Sequence, residues 1–122
     1  MNKIDLNKTT LRELNSKLQQ SKENEKWLVT NPKGNHALAV GLDNFINVKI
    51  DGSTGYYCAG MNKKASIQVN GSVGPGVAEN MMSGKLIVEG NASQYAGATG
   101  HGGILVINCL LYTSDAADEV LG

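Results

Sequence analysis

The segments that decide the fold are Val48-Lys49-Ile50-Asp51-Gly52, Ile67-Gln68-Val69-Asn70-Gly71 and Leu86-Ile87-Val88-Glu89-Gly90. They begin at evenly spaced positions, and each reads apolar, variable, apolar, polar, glycine. The alternating apolar residues put one face of a short strand into a core, and the polar residue and glycine that follow indicate a turn. A fixed period that carries one strand and one glycine turn per unit is typical of a solenoid.

Stacking these units in register turns equivalent side chains into columns. Two columns are aliphatic: Val48, Ile67, Leu86, Leu105, and Ile50, Val69, Val88, Ile107. Two others hold only small residues, as expected at tight corners: Ala59, Ala78, Gly97, and Ala65, Gly84, Gly103. We therefore predict an all-β fold, a right-handed parallel β-helix with about 19 residues per lap. A leucine-rich repeat is the alternative at this period, but residues 46–107 contain only two leucines.

Most of the 15 glycines are expected at the corners of the laps, because glycine adopts backbone angles that are closed to other residues. The predicted turn glycines are Gly52, Gly71, Gly74, Gly76, Gly84, Gly90, Gly97, Gly100, Gly102 and Gly103.

Composition excludes several classes of function. The 122 residues include 11 basic and 11 acidic ones, so no net charge attracts nucleic acid or an anionic membrane. No apolar run approaches the roughly 20 residues that span a bilayer. Residues 1–6 carry no apolar signal region, which favours a cytoplasmic protein. The two cysteines are far apart, without the spacing of a disulfide framework or a zinc site.

Residues 1–45 depart from the regular spacing and are interpreted as a cap on the open end of the stack. A short helix is predicted over residues 10–20, because Thr10 and Glu13 form a capping-box pattern and Leu11, Leu14 and Leu18 share one face. Strands are predicted at residues 27–29 and from residue 36 to residue 40, on either side of a turn at residues 31–34.

The repeat stops after Asn108, because Cys109 occupies the position where the pattern predicts a glycine. Residues 109–119 resemble a translated transposon-end adapter of the kind used to prepare sequencing libraries. The laps of the β-helix are therefore assigned to residues 46–108, and residues 109–122 are interpreted as a non-native tail. We expect the natural protein to continue with further laps.

Several blocks resemble the GXGXG domain, the C-terminal β-helix of the glutamate synthase large subunit. The glycine-rich blocks are residues 71–76, 83–84 and 90–103; supporting blocks are residues 11–15, 31–32, 36–43, 55–62 and 78–84. The resemblance covers residues 4–108 and is strongest to the stand-alone small subunit of three-part glutamate synthase-like enzymes, including N-methylglutamate synthase. Such subunits are longer, so this chain resembles the N-terminal half of one.

The resemblance implies a non-catalytic scaffold in glutamate or N-methylglutamate metabolism. In such complexes an amidotransferase subunit with an N-terminal cysteine hydrolyses glutamine, and a synthase subunit holds FMN and iron–sulfur clusters. The β-helix holds these two partners together and binds none of the cofactors. A similar domain, the β-helix scaffold of formylmethanofuran dehydrogenase, is one alternative. An independent β-helix enzyme of the acyltransferase or lyase type is another, and would need a histidine or carboxylate cluster in a groove.

Few residues suggest chemistry of their own. Cys58 has no obvious base near it in the sequence and is expected to be a buried apolar residue. His36 follows a turn and is expected to make a structural hydrogen bond, and His101 lies among glycines, on a turn or at a partner contact. The segment Glu79, Asn80, Met81, Met82 either contacts a partner or fills the lap interior. The glycine runs lack the helix and the lysine of a phosphate loop.

Overall fold

The structure is a computed structural model that describes residues 2–55, 57–74, 77, 81–90 and 102–107. Among these residues it contains one helix, α1 (Leu11–Gln19), and six strands. The strands are β1 (Asn2–Asp5), β2 (Lys26–Thr30), β3 (Asn47–Asp51), β4 (Ser66–Asn70), β5 (Lys85–Val88) and β6 (Ile104–Ile107).

All six strands form one parallel sheet in the order of the chain. Asn47 pairs with Ser66, Ser66 with Lys85, and Lys85 with Ile104, so every step from β3 to β6 has the period of the sequence repeat. A parallel strand that always lies beside its predecessor requires the chain to complete a lap between strands. This confirms the predicted parallel β-helix and its period.

The described residues between β3 and β6 contain no helix, which favours the β-helix over the leucine-rich repeat alternative. Laps also stack outside the sheet through backbone hydrogen bonds. Ala59 N donates to Leu38 O over 2.9 Å, and Met82 N donates to Asn62 O over 2.8 Å. Stacked turns satisfy peptide groups that a core would otherwise leave unpaired.

The predicted aliphatic columns form the part of the core that the sheet covers, and the register extends both of them toward the N-terminus. One column is buried along its whole length: Ile4, Val29, Ile50, Val69, Val88, Ile107. The other column contains Trp27, Val48, Ile67, Leu86 and Leu105. Only Trp27 and Leu105, at its two ends, are partly exposed. Strand side chains alternate between faces, so the residues between these positions line the outer face of the sheet.

Helix α1 forms where the sequence predicts it. Glu13 N donates to Thr10 Oγ1 over 3.2 Å, which caps the first turn, and Leu14 and Leu18 are fully buried. The helix lies in the first lap, between β1 and β2, and both strands join the common sheet. Residue 2 pairs with residue 27 and residue 26 with residue 47, so the first two laps are both longer than the regular ones.

The strand predicted from His36 to Val40 is wrong. This segment turns instead, with positive φ angles at Ala37 and Ala39 of 55° and 56°. Leu38 and Ala39 are nevertheless fully buried. The apolar run at residues 37–40 lies at a corner, where a left-handed backbone takes the place of an extended one.

Candidate functional site

The glycines at the ends of the repeated strands stack directly on one another. A β-carbon at Gly71 would lie 2.5 Å from the carbonyl carbon and oxygen of Gly52, and one at Gly90 would lie 2.4 Å from Gly71 O. Of the three, only Gly52 has a positive φ, +134°, and a β-carbon there would lie 2.8 Å from Cδ of Pro32. Close approach of the preceding lap therefore requires glycine at positions 71 and 90, and backbone angle explains only Gly52.

A second column of small residues forms the corner before each strand. It contains Ala65, Gly84 and Gly103, and both glycines have positive φ angles, +86° and +89°. A β-carbon at Gly84 would lie 2.6 Å from Ala65 O. Asn62, fully buried, fixes the same corner: its Nδ2 donates to Ala65 O over 2.9 Å, and its Oδ1 accepts from Ala65 N over 3.1 Å.

Two further predicted glycines have structural contacts. Gly74 N donates to Gly55 O over 3.1 Å, and a β-carbon at Gly102 would lie 2.6 Å from Met82 O. The predicted turn glycines Gly76, Gly97 and Gly100 lie outside the described residues.

The two methionines of the predicted contact segment point in different directions. Met81 is 3% exposed, and its Cε lies against Gly103 in the next lap, so it takes the interior position. Met82 is 48% exposed and remains a candidate for partner contact. Glu79, Asn80 and His101, the other predicted contact residues, lie outside the described residues.

Cys58 is fully buried, as the sequence predicts. Burial raises the pKa of its thiol to about 12, because removing the thiolate from water disfavours the charged form. The thiolate is the form of cysteine that attacks electrophiles, and a raised pKa leaves almost none of it near neutral pH. The position suits a small apolar residue in the core.

His36 is exposed and packs against glycine backbone. A β-carbon on Gly55 would lie 2.0 Å from Nδ1 of His36 and 2.4 Å from Gly34 O, so the bare glycine makes room for the imidazole. Among the described residues, no group of three histidine, cysteine or acidic side chains could hold a metal ion. Likewise, no helix in that part of the chain is long and apolar enough to cross a membrane.

The outer face of the sheet carries a shallow groove of about 130 Å³, which we call the outer groove. It crosses the strands from β2 to β5 and is lined by Lys26, Trp27, Asn47, Val48, Lys49, Ser66, Ile67, Gln68 and Ile87. Among these described lining residues, the charged and hydrogen-bonding groups that face outward are ammonium groups, amides and a hydroxyl, with no carboxylate. Gln68 Nε2 donates to Asn70 Oδ1 over 3.0 Å, which orients that amide on the strand.

Charge is separated across this outer face. The register places Lys26, Asn47, Ser66 and Lys85 in one column and Leu28, Lys49, Gln68 and Ile87 in the next. The third column, along the far edge of the sheet, contains Asp5, Thr30, Asp51 and Asn70, and Glu89 follows β5 on the same edge. Lysine therefore occupies the first two columns and acidic residues the third.

The outer groove was not predicted, because the outward residue of each repeated strand reads as variable in the sequence. A signal is nevertheless present in the repeat: positions 47, 66 and 85, one lap apart, are polar or basic, and Lys49 and Gln68 follow them on the same face. A β-helix can present such a row to a partner because stacked strands hold equivalent side chains about 4.8 Å apart.

These features define the class of protein: a parallel β-solenoid whose laps are held by aliphatic columns and stacked glycines. The chain is similar to protein GlxC of Rhizobium meliloti (strain 1021), with 58% identity over 88 residues. That match covers 70% of this chain and 39% of GlxC, so the chain spans well under half the length of this relative. No family model matches the chain, and no solved structure matches it.

Proposed function

We propose that this chain is a structural, non-catalytic part of a complex of the glutamate synthase type. In this proposal an amidotransferase subunit releases ammonia from glutamine, and a synthase subunit uses FMN and iron–sulfur clusters to reduce the imino intermediate. The β-helix binds both subunits and fixes their separation. The metabolic setting is the formation of glutamate or N-methylglutamate, and the location is the cytoplasm.

The main support for the proposal is that the cysteine, histidine and glycines that could suggest catalysis have packing roles in the structure. Cys58 is buried with a raised pKa, and the imidazole of His36 packs over the backbone of Gly55. The glycine runs stack against neighbouring laps, which accounts for Gly71 and Gly90 without a bound phosphate. A rigid stack with an ordered outer face is suited to hold other proteins in register.

Similarity to GlxC supports the coarser part of the proposal, a relationship to glutamate synthase. The glycine-rich and supporting sequence blocks support the finer part, a scaffold in a three-part complex. Since the chain corresponds to 39% of GlxC, the activity and partners of the whole protein belong to the proposal.

Co-expression with the two partner subunits tests the proposal. The chain carries an affinity tag, and the purified material is analysed for flavin absorbance, iron content and glutamine hydrolysis. We expect all three proteins to co-purify, with flavin and iron present only when the synthase subunit is included. Purification of the chain alone in the presence of both partners would refute the proposal. A complex that contains molybdenum or tungsten would favour the formylmethanofuran dehydrogenase alternative.

A pair of variants separates a scaffold from a catalyst. Cys58→Ala removes the buried thiol, and we expect an assembled complex with unchanged turnover per flavin. Gly71→Ala disturbs the stack, and we expect loss of co-purification together with loss of coupled activity. An assembled Cys58→Ala complex without turnover would show that the thiol takes part in the reaction and would contradict the scaffold role.

A further inference from the structure

The ammonium groups along the outer groove form no ion pair with a described acidic residue. Within the part of the chain that the structure describes, Lys26, Lys49 and Lys85 form no ion pair, whereas Lys64 pairs with Asp43 elsewhere, Nζ to Oδ1 over 3.7 Å. The groove is lined by Lys26 and Lys49, and Lys85 lies two strands beyond Asn47 in the column that Lys26 begins. Positive charge is thus concentrated on one strip of a chain with no net charge.

We propose that the outer groove binds an acidic segment of a partner protein in an extended conformation. The segment runs across the strands, along the axis of the stack, with its carboxylates toward Lys26, Lys49 and Lys85. Charge complementarity selects this occupant, because a basic segment would bring like charges together at every one of these positions.

Spacing within the groove matches such a segment. Neighbouring strands lie about 4.8 Å apart, so the three steps from Lys26 to Lys85 span about 14 Å. An extended chain rises about 3.3 Å per residue, so side chains two residues apart on one face are separated by about 7 Å. Side chains four residues apart are separated by about 13 Å. Acidic residues at alternate positions therefore fall within reach of the long lysine side chains.

Polar and apolar groups between the lysines complete the surface. Asn47, Ser66 and Gln68 offer an amide, a hydroxyl and an amide to the backbone of the segment. Ile87 offers apolar contact at one end of the groove. Val48 and Ile67 alternate with these residues and turn their side chains into the core, so they line the groove floor only through their backbone.

The acidic column beside the groove argues against a nucleic acid as occupant. A phosphate backbone wide enough to contact both lysine columns would also meet Asp51 and Glu89 at the far edge of the sheet. An extended peptide is narrow enough to stay on the basic strip. In the complex proposed above, the segment belongs to one of the partner subunits; only that assignment rests on the proposed function.

Binding of a synthetic peptide tests the inference on the full chain. The probe alternates glutamate and serine, and its control alternates glutamine and serine. We expect binding of the glutamate peptide, measured by fluorescence anisotropy, to weaken as salt is raised, and no binding of the control peptide. The triple variant Lys26→Gln, Lys49→Gln, Lys85→Gln should raise the Kd about fivefold or more, as expected for three partly exposed charge pairs.

A matched variant removes the effect of overall charge. Lys8→Gln, Lys17→Gln, Lys63→Gln makes the same change in net charge with exposed lysines outside the groove, and should leave the Kd unchanged. Equal weakening by both triple variants, or equal binding of both peptides, would overturn the inference. If the groove variant instead abolished self-association of the chain and left peptide binding unchanged, the inference would be wrong and the occupant would be a second copy. Peptide binding without any partner complex would leave the inference standing even if the proposed function failed.

Discussion

The first two laps and the later laps of this solenoid are held together in different ways. The longer first laps are covered by α1, whose residues bond to the lap that follows. The regular laps have no helix among their described residues and depend on columns of aliphatic side chains and stacked glycines. The regular laps tolerate almost no added atom at the glycine column, whereas the first laps depend on particular polar side chains.

Side-chain hydrogen bonds in the first laps are concentrated between α1 and residues 37–44. Asn15 Nδ2 donates to Ala37 O over 2.9 Å, and Gln19 Nε2 donates to Val40 O over 2.8 Å. Asn44, almost fully buried, donates through Nδ2 to Leu18 O over 3.0 Å and to Ser21 O over 2.9 Å. These bonds replace the regular stacking that an irregular lap cannot provide.

Gly71→Ala should have the largest effect, because the new methyl group meets the backbone of the lap below. The clash is with Gly52 C and O at 2.5 Å, which no side-chain rotation relieves. We expect a loss of about 3 kcal/mol or more in the free energy of unfolding, the upper end for overpacking. Urea denaturation followed by circular dichroism measures it.

Gly34→Ala is the control for that substitution. Gly34 also has a positive φ, +71°, but a β-carbon there meets nothing within 4 Å. The cost should be only about 1 kcal/mol, the penalty of a left-handed alanine. If both variants lost the same free energy, close stacking on Gly52 would not explain why position 71 is glycine.

Leu18→Ala tests the helix that covers the first laps. Leu18 is fully buried, and its removal leaves a cavity between α1 and the stack. We expect a loss of about 2–3 kcal/mol in the free energy of unfolding, the lower part of the usual range because alanine favours a helix. The control is Leu28→Ala on the outer face of β2, where the side chain is half-buried and the loss should be smaller. Equal losses would indicate that α1 contributes little to the stability of the stack.

The sequence predicts those parts of the fold that are determined by residues close together in the chain. The aliphatic columns and the strands from β3 to β6 follow from a repeat that can be read directly. Helix α1 follows from its capping residue Thr10 and one apolar face. The segment at residues 36–40 could not be predicted in the same way, because a short apolar run fits burial at a left-handed corner as well as burial in a strand.

The same distinction between local and non-local causes applies to the candidate site residues. Burial of Cys58 can be predicted from its neighbours in the sequence. Which of Met81 and Met82 is buried cannot, because Met81 packs against Gly103 of the next lap, a contact that only the structure shows. The outer groove is a property of the register between strands. Its lysines become neighbours only when the pairing of Lys26 with Asn47, across an irregular lap, is known.

Asn15→Ala tests whether polar clamps hold the irregular laps. The change removes the bond to Ala37 O and also the acceptor of Val40 N, which lies 3.3 Å from Asn15 Oδ1. We expect a loss of about 1–2 kcal/mol in the free energy of unfolding, since two partly buried backbone groups lose their partner. Hydrogen exchange should accelerate first at residues 37–44. Asn7→Ala, at an exposed position, should change neither quantity.

Substitution of Glu25 should have the smallest effect on the free energy of unfolding, and this effect should depend on pH. The Ser21 hydroxyl and Lys22 N donate to Glu25 Oε1, and these bonds lower the pKa of the carboxyl group in the folded state. A lowered folded-state pKa stabilises the fold above the unfolded pKa of about 4.3, and that contribution is lost as pH falls through the folded pKa. Glu25 remains partly exposed, so solvent screening keeps the effect small.

The measurement is the difference in urea midpoint between the unmodified chain and Glu25→Gln, followed from neutral to acidic pH. The difference should be constant near neutrality and shrink below the ordinary glutamate pKa. Protonation then removes the stabilisation by the Glu25 carboxylate, which the variant lacks at every pH. Ser21→Ala, which removes the largest cause of the lowered pKa, should reduce the same slope and also release the Trp27 indole. A difference that stays constant into acid would mean that these bonds do not favour the ionised form, and that the first laps rest on α1 and its amide clamps alone.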